Sequence, residues 1–287
     1  MNWFLPALAS ALIFGLSGFM MKYGSARGAS SAHLLCGLYV SGTAGFFILA
    51  LTQDQLDLNP ALLVSGLIVG IGSTFGNYFF MRSLSFGPAS LTAPIVNANV
   101  VFIVLMSVFY YGETITVLEI VGITLLLICI CILPIDPQES ISVHHKIWYL
   151  FVSLATVLFF LRNGGLKITE EMALNNTLVL FYGYLFGLLW SIGQMAWERQ
   201  KTRTPSGAGL KRTGWISGLI AGLFSFSGMQ IYAYALTVGP ASLVSPIFSV
   251  YGLVIALLSM WWFSERLSII QILSLIGIMT GIVLLRI

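Results

Sequence analysis

Charge is what this sequence has least of. Only 8% of its 287 residues are Asp, Glu, Lys or Arg, against roughly a quarter in an ordinary soluble domain. That shortage excludes a solvated globular surface. Its three cysteines, Cys36, Cys129 and Cys131, lie inside apolar stretches with no second pair at metal-ligand spacing, so they read as small packing residues. Histidine is confined to His33, near the start of an apolar run, and to His144-His145 in a central polar stretch. No Walker-type glycine loop is present, which excludes ATP as a direct energy source. Every Asp and Glu falls in a loop or within about a turn of a predicted helix end, so no deep carboxylate is available as a proton carrier. The net charge of +3 is small and its basic residues cluster in one loop, so nucleic acid is not an expected partner.

What the chain has in quantity is apolar side chains, at 58% of all residues. They come in continuous runs of the ~20 residues that cross a ~30 Å hydrocarbon core. Continuous runs, rather than alternation, select helices over a barrel. Ten spans are expected, over 3–23, 32–51, 60–84, 88–111, 115–133, 146–163, 175–197, 214–237, 240–263 and 267–286. The first is longer than a signal-peptide core and is followed by others, so it is expected to remain as a permanent helix. No soluble domain fits anywhere.

One segment occurs twice. Gly87-Pro88-Ala89-Ser90-Leu91-Thr92-Ala93-Pro94-Ile95 returns 152 residues later as Gly239-Pro240-Ala241-Ser242-Leu243-Val244-Ser245-Pro246-Ile247, and the register holds through Glu113 and Glu265. The stretch Pro134-Ile135-Asp136-Pro137-Gln138-Glu139-Ser140 interrupts the apolar pattern. The chain therefore divides into a first five-helix repeat, 1–133, a linker, 134–145, and a second five-helix repeat, 146–287. Five is odd, so the second repeat enters the membrane from the opposite side. Inverted repeats follow, with a solute site expected at their interface near mid-depth. Matching details support the equivalence. Thr116…Glu119 and Ser268…Gln271 both form the capping-box pattern at a helix start. Phe109-Tyr110-Tyr111 matches Trp261-Trp262-Phe263, as aromatic residues at a membrane interface. Small residues at four-residue spacing, such as Gly66 and Gly70, Gly72 and Gly76, and Gly214, Gly218 and Gly222, predict close helix approach.

The third and fourth spans turn around Phe86-Gly87-Pro88. Asn77 and Asn97 lie nine and eleven residues from Phe86, which places both about 14 to 17 Å deep at ~1.5 Å per residue. In the second half Gln230 and Ser249 lie eight and eleven residues from Val238, with Asn99 and Tyr251 at equivalent positions. Amides and hydroxyls gathered at one depth point to a solvated cavity. Pro94 and Pro246 kink the helices beside it and free the carbonyls of Ser90 and Ser242, for which neighbouring hydroxyls or water are the expected partners. Phe14, Ser17 and Met21 share one face of the first helix, and Phe226, Gln230 and Tyr234 one face of the eighth, adding polar tips to apolar walls. The expected solute-binding set is thus Ser17, Asn77, Asn97, Asn99, Gln230, Tyr234, Ser249 and Tyr251. Lys22, Arg82, Arg162 and Lys167 lie near predicted helix ends, and most of them are expected to be snorkelling anchors rather than ligands. With no deep charge, the layer favours zwitterionic, neutral or weakly charged solutes.

The ten spans, the halves joined near residue 140 and the recurrent G-P-A-S-L-x-x-P followed by an acidic helix-turn resemble the drug/metabolite transporter superfamily, specifically ten-helix members with two EamA-type repeats. The resemblance covers essentially the whole chain. It implies an exporter of amino acids, metabolites or drugs that works by alternating access, with a cavity built from the first, third and fourth helices of each half. It further implies no cofactor, a small-molecule substrate within a lipid bilayer, a monomer or homodimer, and a multi-pass location in a bacterial plasma (inner) membrane. Both termini are then cytoplasmic. The positive-inside rule gives the reverse, because the loops opposite the termini hold most of the 13 basic residues, including Arg199, Lys201, Arg203, Lys211 and Arg212. Two other classes compete. Gly15-Leu16-Ser17-Gly18 matches the G-x-S-G motif that intramembrane rhomboid-like proteases also show, but no histidine lies mid-membrane to act as base. A lipid-translocating or scaffold protein is the third, since fold does not fix function.

Overall fold

The computed structural model describes residues 2–52, 56–83, 86, 92, 95–132, 146–201, 208–263 and 268–285. Among them the regular elements are all helices: α1 (Phe4–Ala26), α2 (Ser31–Thr52), α3 (Pro60–Ser83), α4 (Asn99–Phe109), α5 (Val117–Ile132), α6 (Ile147–Glu171), α7 (Asn176–Lys201), α8 (Ala208–Val238), α9 (Ala241–Ser249), α10 (Tyr251–Phe263) and α11 (Ile269–Leu284). The helices α1, α2, α3, α6, α7 and α8 are each long and apolar enough to cross a membrane. The shorter α4, α5, α9 to α10 and α11 are equally apolar, as an integral multi-pass protein requires.

Helix ends follow local chemistry. At the end of α1, Gly28 takes φ +75°. Its amide donates to the Ser25 carbonyl and that of Ala29 to Gly24, the paired bonds of a Schellman motif. The end of α6 repeats this, with Ala173 at φ 53° and the amides of Ala173 and Leu174 donating to Glu170 and Thr169. Superposing these two turns sets Gly28 on Ala173, and hence Phe14 on Phe159, Ser17 on Arg162 and Lys22 on Lys167. The capping box of α5 is formed as expected: the Thr116 amide donates to Glu119 at 2.7 Å and the Glu119 amide to the Thr116 hydroxyl at 3.3 Å. The side chain of Gln271, like the first copy of the repeated segment from Gly87 to Leu91 and Pro94, lies outside the described residues.

The expected single fourth and ninth helices are each broken. In the second half the break falls at Val250, whose amide bonds to Ile247 at 3.1 Å while its carbonyl accepts from Leu253 at 2.8 Å. In the first half it falls at Ala98, with the corresponding bonds to Ile95 at 3.2 Å and from Val101 at 3.0 Å. The second break comes one turn after Pro246, whose missing amide weakens the i to i−4 ladder, and the first comes at the same sequence distance after Pro94. The sixth helix departs further from expectation, running to Glu171 rather than stopping near residue 163. Asn163, Gly164, Gly165 and Lys167 look like a terminus in one dimension, but in the bundle their polar groups are satisfied and the glycines admit neighbours.

The halves interlock. The helix α1 packs on α8 as α6 packs on α3, α2 on α8 as α7 on α3, and α1 on α9 and α10 as α6 on α4. The pairs α2 with α7, α5 with α11 and α4 with α9 cross between halves. Small residues make this possible where no hydrophobic force acts between helices in lipid. A methyl on Gly218 would overlap the Leu34 carbonyl, and one on Gly72 would meet the Leu158 carbonyl and the Arg162 amide. Aromatic rings fill the centre, with Phe46 at 4.9 Å from Tyr184 and 4.8 Å from Phe226. Phe109 and Tyr110 are 82% and 80% exposed, and Trp261 at the matching position 77%, which suits rings facing the lipid interface.

Candidate solute site

A polar cluster in the interior centres on Arg162. It is the sixteenth of the 25 residues of α6, about 14 Å from the nearer helix end at ~1.5 Å per residue, and only 6% exposed. Its expected role as an anchor at a helix end is therefore corrected, because the helix continues more than two turns past it. The expectation of a polar layer without deep charge is corrected with it. A cation at this depth is costly unless it faces the bundle interior or a watered cavity.

Its surroundings are aromatic and amidic. The guanidinium carbon lies 4.6 Å from the Phe159 ring centre and 5.4 Å from that of Phe14, two rings at equivalent positions of the two halves. The Nε group donates to Asn163 Oδ1 at 2.9 Å. Asn163 Nδ2 donates to Asn99 Oδ1 at 3.3 Å, and Asn99 Nδ2 to the Val96 carbonyl at 2.7 Å, at the break before α4. The Tyr251 hydroxyl, at the matching break, donates to Asn97 Oδ1 at 3.4 Å, and its ring stands edge-on to Phe14 at 5.2 Å. Phe248 stacks on Tyr232 at 4.2 Å. The hydroxyls of Tyr184, Tyr232 and Tyr251 all lie within electrostatic reach of Arg162. Among the described residues no carboxylate pairs with the guanidinium.

A second buried cation is treated in the opposite way. Lys167 Nζ sits 2.9 Å from Glu113 Oε1 and also pairs with Glu171. The same Glu113 carboxylate accepts the amides of Ala241 at 3.0 Å and Ser242 at 2.9 Å, the first free donors of α9. An anion there is favoured by the helix dipole and by charge-assisted hydrogen bonds. Burial pushes the Glu113 pKa up, but the Ser242 amide, Lys167 and the Ala241 amide together outweigh it and hold it below the usual carboxylate value. One side chain from the loop after α4 thus ties α6 to the start of α9. Lys167 is a structural partner rather than a snorkelling anchor, whereas Arg82 is exposed beside Tyr78, 5.8 Å from its ring, as an anchor should be.

An open cleft of about 390 Å³ lies elsewhere, between α1, α8 and α10, lined by Phe19, Tyr23, Arg27, Ser217 and Trp262 among others. It is mostly apolar and excludes Arg162.

Comparison with known proteins gives the family of the chain. A model of the EamA-like transporter family matches the chain twice, over residues 1–135 and 146–287. The chain belongs to the EamA-like transporter family. A curated relative of this EamA protein is Purine permease 3 of Arabidopsis thaliana, 28% identical over 143 residues, which are 47% of this chain and 41% of the permease. The chain thus matches less than half the length of that relative. A crystal structure of another protein superposes on 100% of the EamA chain and 99% of its own with a TM-score of 0.77 at 16% identity, a likeness of fold alone. The EamA protein thus belongs to a family of membrane transporters.

The expected binding residues of the EamA protein do not all meet. Asn97, Asn99 and Tyr251 join the Arg162 cluster. Ser17 is buried on α1, at the position equivalent to Arg162. Asn77 is half-buried on α3. Gln230 pairs with Thr177 of α7 at 2.9 Å, a bond between helices. Ser249 turns back on its own helix, donating to the Pro246 carbonyl at 2.6 Å. Tyr234 is 54% exposed on the same stripe as Ile216 and Leu223, so it faces outward and Tyr232 takes the interior position. Sequence reasoning missed Arg162, Asn163, Thr177, Tyr184 and Tyr232. The signal for Arg162 was the pairing of the first and sixth helices, which sets it on the already chosen Ser17.

Proposed function

We propose that this transporter exports a small organic solute by alternating access of two inverted five-helix halves, 1–133 and 146–287, in a bacterial plasma membrane. The observation that carries the reading is the meeting of both helix breaks, at Ala98 and Val250, with α1 and α6 around one buried polar cluster. Broken helices at a repeat interface are where transporters of this kind place their solute. The exchange of packing partners between halves supports the symmetry. Asn97, Asn99 and Tyr251 contact the solute, with Ser17, Asn77, Gln230 and Ser249 around them. All carboxylates whose side chains are described lie in loops or at helix ends. Transport then follows the solute's own gradient or exchange, without a proton relay. The relative's name makes purines the first compounds to test. Proteoliposomes loaded with a radiolabelled panel of purines, amino acids and organic acids should release at least one of them faster than protein-free liposomes carrying the same load, with or without an imposed pH difference. Release indistinguishable from protein-free liposomes across the panel would refute transport, and release that stops when the pH difference is collapsed would refute uncoupled movement.

Orientation is a separate expectation. The family pattern of cytoplasmic termini puts the 198–212 loop outside, whereas the charge rule puts it inside. Impermeant maleimide applied to intact cells should label a single cysteine introduced at Ser206 under the first and leave it unlabelled under the second.

A further inference from the structure

We propose that Arg162 is the anchor for the solute and that the solute is a small organic monoanion bearing a carboxylate. The inference rests on the reading of the interior cluster as the transport site and adds the charge and chemical group of what it binds.

Two buried cations lie on α6, and the fold satisfies only one. Lys167 has two carboxylates, while Arg162 has none among the described residues. No contact described for Arg162 engages its far edge. Both nearby rings take the guanidinium carbon, and Asn163 takes Nε. The two terminal nitrogens have no hydrogen bond to a described residue, although the residue is 6% exposed. The two terminal nitrogens present a pair of parallel N–H donors on one planar edge, the geometry that the two oxygens of a carboxylate accept. A protein that evolved only to hide a cation here would do better with a hydrocarbon side chain, so the charge implies a partner that comes and goes.

Charge balance narrows the class. The cluster carries one positive charge and no negative one, so a monoanion makes the loaded site neutral, whereas a dianion would leave an unpaired charge at mid-depth. A zwitterion would need a counter-charge for its ammonium group, and no carboxylate of the described residues reaches the cluster. Phe14, Phe159 and Tyr251 offer flat apolar surface next to the guanidinium, which suits a planar or short apolar body behind the carboxylate.

The test uses Asn97→Cys in a protein lacking its three native cysteines, reconstituted in nanodiscs, and two thiol reagents of like size and opposite charge. The anionic sulfonatoethyl methanethiosulfonate should react about tenfold faster than its trimethylammonium counterpart, because an unscreened cation acts strongly at short range in a low dielectric. Arg162→Gln should abolish the preference. Arg162→Lys should keep the preference, but lose most protection by nicotinate, having charge without the planar fork. In the parent, nicotinate should slow labelling, and neither nicotinamide nor adenine should. Equal rates for the two reagents would overturn the proposal. So would protection by nicotinamide or adenine matching that by nicotinate, in which case the transport reading stands and the solute is neutral. Labelling by neither reagent in folded protein would remove the cavity, and the transport reading with it. Should the Arg162 variants fail to fold, wild-type melting decides: nicotinate must raise Tm more than nicotinamide does, and equal or absent shifts overturn the assignment.

Discussion

Replacing Glu113 with alanine is expected to destabilise the protein by about 3–5 kcal/mol, the usual result of removing one member of a buried ion pair. The Glu113 side chain is 11% exposed and that of Lys167 7%. Its loss leaves Lys167 with Glu171 alone and strips the cap from the amides of Ala241 and Ser242. Uncapping by itself costs about 1 kcal/mol. Glu113→Gln should lie between, since an amide oxygen still accepts a hydrogen bond but carries no charge. Adding Lys167→Met to Glu113→Ala should recover part of the loss by removing the orphaned cation. Thermal unfolding of the four proteins in one detergent makes the comparison, and a Glu113→Ala protein that melts with wild type would show the network to be ornamental. The pH dependence has a definite sign. Glu113 has its folded pKa below the unfolded value, so its contribution is complete above the unfolded value and fades as pH falls through the folded one. Wild type should therefore keep this contribution in mild acid, and the gap between it and Glu113→Gln should close only in stronger acid.

The spans were legible because lipid leaves the backbone few choices, and the 152-residue repeat was legible because its proline and glycine positions recur without a gap. The helix breaks were half-visible: Pro246 announced a kink, but that it falls at Val250, where the amide bonds three residues back to Ile247, is seen only in the packed bundle. The site was harder. Counting depth from a turn found Asn97, Asn99 and Tyr251, since those residues follow the repeated segment directly. It failed for Arg162, because a run of Arg, Asn, Gly, Gly and Lys imitates a helix end. Nothing in the one-dimensional pattern shows that Lys167 meets Glu113, 54 positions earlier, within the bundle. Tyr234 and Tyr232 show a related limit. Residues two apart on a helix point in very different directions, and only the packing of α8 against α1 and α2 decides which faces inward.

Gly72→Ala is expected to reach the site without touching any group that binds solute. A methyl there would lie 2.5 Å from the Leu158 carbonyl oxygen and 2.7 Å from the Arg162 amide nitrogen, both backbone atoms that no side-chain rotation can clear. The helices α3 and α6 must then separate, and overpacking of this kind costs about 1–3 kcal/mol. The displacement falls on the residue that carries the buried cation, so binding suffers together with stability. Losing about 1.4 kcal/mol of solute binding is a tenfold loss of affinity, and flux at low solute concentration should fall by a similar factor. Gly193→Ala in α7 is the matched control, because nothing lies within 4 Å of a methyl there. Alanine in an open helical position gains up to about 1 kcal/mol over glycine, so this variant should melt at or slightly above wild type and transport normally. The two substitutions are chemically identical and differ only in what the new methyl meets. If both variants melted and transported alike, α3 would not hold Arg162 in place, and the position of the cation would have to be set by Phe159, Phe14 and Asn163 alone.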